Sequence, residues 1–466
     1  MSRAHTLIKG TLILTMTGLA TRMMGFFYRI FLSHAFGEEG VGLYQLIFPV
    51  YALGFSLTCA GIELILARLV AKDTALGRKK EARQLLYTAL LITVSFSSIV
   101  TLFLQNYAGW IAVVFLRDPR CAGLLVILSY VFPFAAIHSC ICGYYFGQKE
   151  TGVPAVSQLI EQSVRIGSVF LIYFAVAERG ITADVSFAVV GLAAGELASS
   201  FYCLHILISG KKGEPKNRLS FLSLCRQIPR LLLPSLPLTG NRVLLNLLQS
   251  AEAVSIPLQL KTAGMTQKEA LSVYGVLTGM ALPCILFPSA VSGSISTMLL
   301  PEVARIQTLR DKKAFRTLVI KVTSSCIAMG CFCCAFLLIT GPWIGSHIFH
   351  SSLAGNLIQI LAWMCPFLYT NNTLISTING IGKTTLTFLI NAASLGLRIA
   401  SIFLLIPSFG IQGYLWGMLA SQLCVFSCCL LVLIRYRFPE KNIGRVFADA
   451  CELNGSTNIC ISTGFT

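Results

Sequence analysis

Read from the N-terminus, the chain alternates long apolar runs with short clusters of charge. The runs recur at about 20 residues, the length a helix needs to cross a hydrocarbon core of ~30 Å. Spans are predicted over 10–32, 44–66, 85–106, 121–146, 153–177, 184–208, 231–250, 271–295, 318–340, 356–378, 385–406 and 411–434. Pro237, Pro283 and Pro288 interrupt the seventh and eighth. Such breaks are tolerated where protein or water satisfies the freed backbone groups. The expected fold class is therefore all-α and polytopic, about 12 transmembrane helices in two six-helix bundles around a central cavity. The basic start, Met1 to Gly10, leads into the first run as a signal peptide would, but that run is long enough to span and reads as an uncleaved helix.

Charge then orients the spans. With the N-terminus in the cytoplasm, the inner segments hold 26 of the 36 Lys and Arg residues and the outer loops five, namely Arg117, Arg120, Arg179, Lys261 and Lys268. This is the asymmetry of the positive-inside rule, and it predicts a multi-pass cell-membrane protein with both termini cytoplasmic. The expected organisation is an N-terminal bundle over 1–208, a basic linker over 209–230, a C-terminal bundle over 231–434 and a polar cytoplasmic tail over 435–466. The halves look duplicated: Gly147, Gln148 and Lys149 precede Arg165 much as Gly380, Gly382 and Lys383 precede Arg398. Two like-oriented halves imply a pseudo-twofold axis along the membrane normal.

Composition narrows the function. Charged residues are 12% of the chain against roughly 25% in soluble domains, so a formal charge of +17 follows from topology and needs no nucleic-acid partner. The 17 cysteines, among them Cys140, Cys142, Cys331, Cys333 and Cys334, show neither a zinc spacing with histidine nor a disulfide framework, and read as packing residues with no metal. The short outer loops hold no nucleophile with its base, so no enzyme is expected. Gly380, Ile381, Gly382, Lys383 and Thr384 imitate part of a P-loop, but Thr377 occupies the place of its first glycine.

Charges inside the spans are the informative residues. Arg22 lies near the middle of the first span with Arg29 seven residues on, and Gly18 and Gly25 leave room beside them. A central arginine costs at least about 2.5–3.5 kcal/mol to insert, so it should face protein or water. Arg29 has the alternative of snorkelling to the interface. On the fifth span Gln158, Glu161, Gln162 and Arg165 form one stripe, with Glu161 and Arg165 in the favourable order for an ion pair. Arg242, Asn246 and Gln249 form a stripe on the seventh, and Asn391 and Arg398 one on the eleventh. Glu63, Glu196 and Glu252 lie near helix ends, where solvation or pairing is expected. Five span arginines against one clear mid-span acid, Glu161, suit an anionic head group, because guanidinium forks bind phosphate oxygens bidentately.

The stretches Lys9 to Thr15, Thr21 to Arg29 and Gly40 to Tyr51, with Tyr145 to Gln148, the Gln158–Arg165 stripe and Leu300 to Ala304, carry a resemblance. The chain resembles the stage V sporulation protein B type of transporter, in the polysaccharide transporter branch of the multidrug/oligosaccharidyl-lipid/polysaccharide exporter superfamily. The resemblance implies two bundles that alternate access around a cavity, and a flippase for a lipid-linked saccharide precursor, lipid II of spore cortex peptidoglycan. Related lipid II flippases carry cavity arginines on the first helix. Thr21, Arg22 and Gly25 match their motif, whereas Arg29 falls one position late and Ile30 stands where Asp is frequent. Relatives commonly have fourteen spans against the twelve expected here. The implied partners are membrane lipids, a diphosphate-bearing polyprenyl-linked saccharide and cell-wall synthesis enzymes; no cofactor is implied, and the coupling ion stays open. A cation-coupled multidrug or metabolite antiporter, which would need cavity carboxylates, and a non-transporting scaffold for wall synthesis are the rival readings.

Overall fold

A computed structural model describes residues 3–180, 184–209, 221–309 and 311–436; the tail expected over 435–466 lies almost wholly outside them, as does the first part of the linker. The described elements are all helical. Among the described residues, nine segments are long and apolar enough to cross a membrane, and two bent pairs of helices, angled at 41° and 55°, pass together. The first segment, Leu12–Ala75, has 64 residues, about three times what one crossing needs. It divides at Gly37, whose φ of 68° is open to a residue without Cβ and closes off the helix. Counting it as two and each bent pair as one gives twelve crossings among the described residues. These are α1 (3–36), α2 (38–75), α3 (Lys79–Phe115), α4 (Cys121–Ser129 with Val131–Gly147), α5 (Gly152–Ala177), α6 (Ser186–Ser209), α7 (Phe221–Thr262), α8 (267–309), α9 (Lys312–Ile348), α10 (Ser352–Ala362 with Cys365–Gly380), α11 (Thr384–Phe409) and α12 (Ile411–Ile434).

The duplication is written in the backbone. Wide π turns occur at Ser56–Ala60 in α2 and Val276–Ala281 in α8, and again at Ile111–Phe115 closing α3 and Ile344–Ile348 closing α9. After the latter pair, Asp118 N–H donates to Ala112 and Ser351 N–H to Gly345. Left-handed residues recur in step, Arg117 (φ 58°) with His350 (φ 53°) and Lys149 (φ 65°) with Gly382 (φ 84°). The bends of α4 and α10 also correspond. Each half is thus one six-helix unit.

Packing follows membrane rules. The outward surface is apolar: Ile339 is 80% exposed and Leu171 75%, which only a lipid environment accommodates at this density. Contacts between helices use small residues, and in α4 Ala135, Ala136, Ser139, Cys140 and Gly143 are all buried. In the N-terminal half α4 packs on α2, α3 and α6, and α5 on α1 and α6; in the C-terminal half α10 packs on α8, α9 and α12, and α11 on α7 and α12.

α7 differs from expectation. It starts at Phe221, well inside the segment read as linker, and runs unbroken through Pro229, Pro234, Pro237 and Pro257. Its first turns lie on the N-terminal half, where the Leu224 carbonyl accepts from Thr88 Oγ1 at 3.2 Å. There Arg230 reaches the buried Asp73 at 2.7 Å and Glu81 at 3.4 Å. Those pairings neutralise a basic residue that in isolation reads as solvated linker.

At the end of the bundle away from the basic connections, the halves are latched. Arg120 bonds Glu39 at 2.6 Å and Asp118 at 2.8 Å, Gln267 donates to Asp118 at 3.1 Å, and Ser272 donates to Glu38 at 2.5 Å. His34 contacts the Ile348 carbonyl at 2.6 Å and His350 at 3.0 Å. Gly275 has no side chain to separate it from Glu38 and Gly42. Burial alone would raise the Asp118 carboxyl, but hydrogen bonds from Arg120 and Gln267 hold it below the usual aspartate range. A carboxylate with a depressed folded-state pKa contributes stability above its unfolded value of ~3.9 and loses it only as the pH falls through the lower one. Amide exchange over 111–120 and 262–275, corrected for intrinsic rates, is therefore expected to show equal protection at pH 7 and pH 5.

Candidate functional site

The interior charges sort into two groups, paired and free. On α5, Glu161 and Arg165 form the ion pair that their spacing foretells. Around it stand groups from three other helices. His138 of α4 lies 3.2 Å from Glu196 of α6 through Nδ1 and 2.7 Å from Ser157 of α5 through Nε2, and Tyr51 of α2 donates to Glu196 at 3.4 Å. Donor atoms of His138, Glu161 and Glu196 all lie within 4.8 Å of one another. Gly191 and Gly195 bring α6 this close, since a Cβ on Gly195 would lie 2.7 Å from the Glu161 carbonyl. Gly195→Leu is expected to drive α6 off α5 and destabilise the protein by about 1–3 kcal/mol, checked by thermal unfolding in detergent.

The C-terminal half repeats the theme with different parts. Arg398 of α11 meets Glu252 of α7 at 2.5 Å, Tyr414 of α12 donates to the same carboxylate oxygen at 2.5 Å, and Arg398 donates to Tyr414 at 3.2 Å. The interval from Arg165 to Arg398 equals that from Ile111 to Ile344, so these arginines are counterparts.

The second group makes no direct ion pair among the described residues, although Arg242 lies within electrostatic reach of the Glu63 carboxyl. Arg22 of α1 lies beside Gly293 of α8, both guanidinium nitrogens 3.8 Å from where a Cβ on that glycine would be. It is exposed, and so is Arg242 of α7. Neither makes an ion pair among the described residues. The interval from Arg22 to Arg242 equals that from Ser56 to Val276, so these too are counterparts, one on the first helix of each half. Arg29 is engaged differently: its Nη1 donates at 3.1 Å to the carbonyl of Thr278, inside the π turn of α8. A π turn leaves carbonyls without their usual partners, and Arg29 supplies one from the other half. It does not snorkel.

Several expectations change. Arg165 and Arg398 are not free cavity cations, because each is committed to a carboxylate. Asn246 is an anchor, its amide donating to the Ala52 carbonyl of α2 at 3.1 Å, with Ser250 one turn on donating to Pro49 at 3.4 Å. Gln158 and Asn391 are exposed and Gln162 half-buried, with no hydrogen-bond partner among the described residues. The count of one interior acid is also corrected. Glu196 and Glu252 are buried, and Glu63, facing inward, accepts from Ser139 at 2.9 Å. Their helices run on at least ten residues past each of these positions, so none of the three lies at a helix end. Among the charged groups, what remains chemically available is guanidinium: Arg22 and Arg242 can each present a fork to an anion between the halves.

Comparison with known proteins agrees with this architecture. The family model described as "Polysaccharide biosynthesis protein" matches residues 7–307. The chain belongs to that family. This polysaccharide biosynthesis family member is 31% identical over 418 residues to stage V sporulation protein B of Bacillus subtilis (strain 168), covering 88% of this chain and 80% of that protein. Among solved structures, an inward-facing multidrug resistance MATE family transporter of the MOP superfamily superposes with a TM-score of 0.71 at 14% identity, over 98% of this chain and 100% of that one. Lipid II flippase MurJ in an inward closed conformation superposes with a TM-score of 0.70 at 14% identity, over 96% and 94%. The family member therefore has the transporter fold of that superfamily and is a multi-pass membrane protein.

Proposed function

We propose that the chain is an alternating-access flippase that carries a lipid-linked, diphosphate-bearing saccharide from the membrane face with the basic connections to the other. The observation that carries this reading is the pair of uncommitted guanidinium groups, Arg22 and Arg242, at equivalent positions of α1 and α7. Each half supplies one, so a diphosphate held between them follows the halves as they rock. The latch around Glu39, Arg120 and Gln267 closes the end away from the basic connections. By the charge asymmetry that face is cytoplasmic, with both termini there. Lipid II destined for spore cortex peptidoglycan is the substrate that the sporulation and MurJ relatives favour. The polyprenyl tail stays in lipid beside the cavity, and no bond is made or broken, so movement rests on differential binding in the two states.

The antiporter reading draws on the buried acids, but each has a partner: Glu161 has Arg165, Glu252 has Arg398, Glu196 has His138 and Tyr51, and Glu63 has Ser139. At Glu161 and Glu252 a cationic substrate would have to displace an arginine already in place, and at Glu196 and Glu63 it would have to break hydrogen bonds. The two readings separate in a thermal-shift titration of purified protein. Lipid-linked diphosphate saccharide is expected to stabilise it and lipophilic cations to leave it unchanged; stabilisation by the cations alone would favour the antiporter.

A further inference from the structure

We propose that His138, Cys142 and Cys203 form a binding site for a thiophilic divalent cation, Zn2+ by its chemistry, which ties α4 to α6. His138 and Cys142 stand one turn apart on α4 and so share a face. Cys203 comes from α6, and one donor atom from each of the three lies within 4.8 Å of the other two. Both cysteines are buried, and the His138 side chain is 15% exposed.

The surroundings favour metal over simple packing. Glu196 Oε2, 3.2 Å from His138 Nδ1, fixes the proton there and turns the Nε2 lone pair away from itself. That is the carboxylate–histidine arrangement standing behind metal-bound imidazoles. On the Nε2 side, Ser157 Oγ is hydrogen-bonded to the ring nitrogen at 2.7 Å and to Cys142 Sγ at 3.5 Å, so the hydroxyl gives up its contact with Nε2 when an ion takes that lone pair. The serine hydroxyl or a water then supplies a fourth ligand for a tetrahedral ion. Charge selects among soft metals. Two thiolates and a neutral imidazole bring a divalent ion to zero net charge, whereas Cu(I) would leave a buried negative charge, and Ca2+ or Mg2+ would reject sulfur. Binding releases two thiol protons to solvent. A second grouping, His138 with Glu161 and Glu196, has the same reach but lies against the Arg165 guanidinium, which opposes another cation.

Sequence spacing hides the site, because its ligands come from two helices. Cys142 lies within two turns of the end of α4 at Gly147, and Ser157 within two turns of the start of α5 at Gly152, which places the site toward the basic face. Bound there, it pins α4, α5 and α6 around the Glu161–Arg165 pair.

The test uses full-length protein, reduced and stripped of metal, in detergent. Titration with Co2+ alone is expected to raise a thiolate-to-cobalt charge-transfer band that saturates at one equivalent per chain, and Zn2+ is expected to displace it. Cys142→Ser and Cys203→Ser should each abolish the band, Cys326→Ser and Cys429→Ser should retain it, and Glu196→Gln should weaken affinity by about 10–100-fold. Should a cysteine variant fail to fold, wild-type protein answers alone: Zn2+ should protect Cys142 and Cys203 from alkylation. No cobalt band in the wild type, an undiminished band in folded Cys142→Ser/Cys203→Ser, or alkylation indifferent to Zn2+ would each overturn the proposal.

Discussion

Arg22→Ala and Arg242→Ala are each expected to weaken binding of a lipid-linked diphosphate saccharide by about 10–100-fold, and together to abolish it. The magnitude follows from losing a charge-assisted hydrogen-bonding group worth ~1.5–3 kcal/mol in each case. Stability should change little, since neither arginine holds a carboxylate among the described residues and both are exposed. Lysine at either position should restore part of the affinity, because it keeps the charge and loses the fork. The check is calorimetric or fluorescence titration in nanodiscs, with thermal unfolding run beside it. A scaffold with no transport role would leave all five variants alike.

The second large effect is on stability and involves the other arginine type. Glu252→Ala leaves the half-buried Arg398 without its carboxylate and the buried Tyr414 without its acceptor. Removing one member of a buried pair costs about 3–5 kcal/mol, most of it the desolvated charge left behind. Unfolding in detergent by denaturant should report a loss of that size. Glu252→Met with Arg398→Met removes both charges and should recover most of the stability, because apolar residues of similar volume replace a buried pair at little net cost. If the double variant is as unstable as Glu252→Ala, the pair is not a self-contained electrostatic unit.

These contrasts show what a linear reading could reach. The crossings were legible because a bilayer demands long apolar helices, and the Glu161–Arg165 pair because both partners lie on one helix at i and i+4. Arg398 with Glu252 and Tyr414 was not, since three helices meet there and no spacing records it. For the same reason the line of residues overstated the positive charge of the interior: Arg165 and Arg398 looked like cavity cations until carboxylates from elsewhere on the chain or helix neutralised them. His138 gave little signal, being one histidine in an apolar run, although Glu196 directly after the close-packing Gly191 and Gly195 was a usable hint. The start of α7 was missed because Arg226 and Arg230 look like linker charge, and only the buried Asp73 explains why Arg230 belongs in a helix. Conversely, the faint repeat read from Lys149 and Lys383 proves deeper in the backbone than in the side chains, as the matched π turns and left-handed residues show.

The pseudo-symmetry also gives the arginines separate duties. Counterparts on α5 and α11 are tied down and shape each bundle, while counterparts on α1 and α7 stay uncommitted. Arg29 stands between these roles, bridging the halves through the Thr278 carbonyl.

The most direct measurement is head-group translocation. Protein is reconstituted in liposomes with a fluorescent diphosphate-linked polyprenyl saccharide, and accessibility to an external quencher is followed over time. Wild-type protein should move the head group across the bilayer, and Arg22→Ala/Arg242→Ala, inserted at equal density, should not. Equal rates in the two would contradict the assignment of these arginines as the carriers of the substrate's charge.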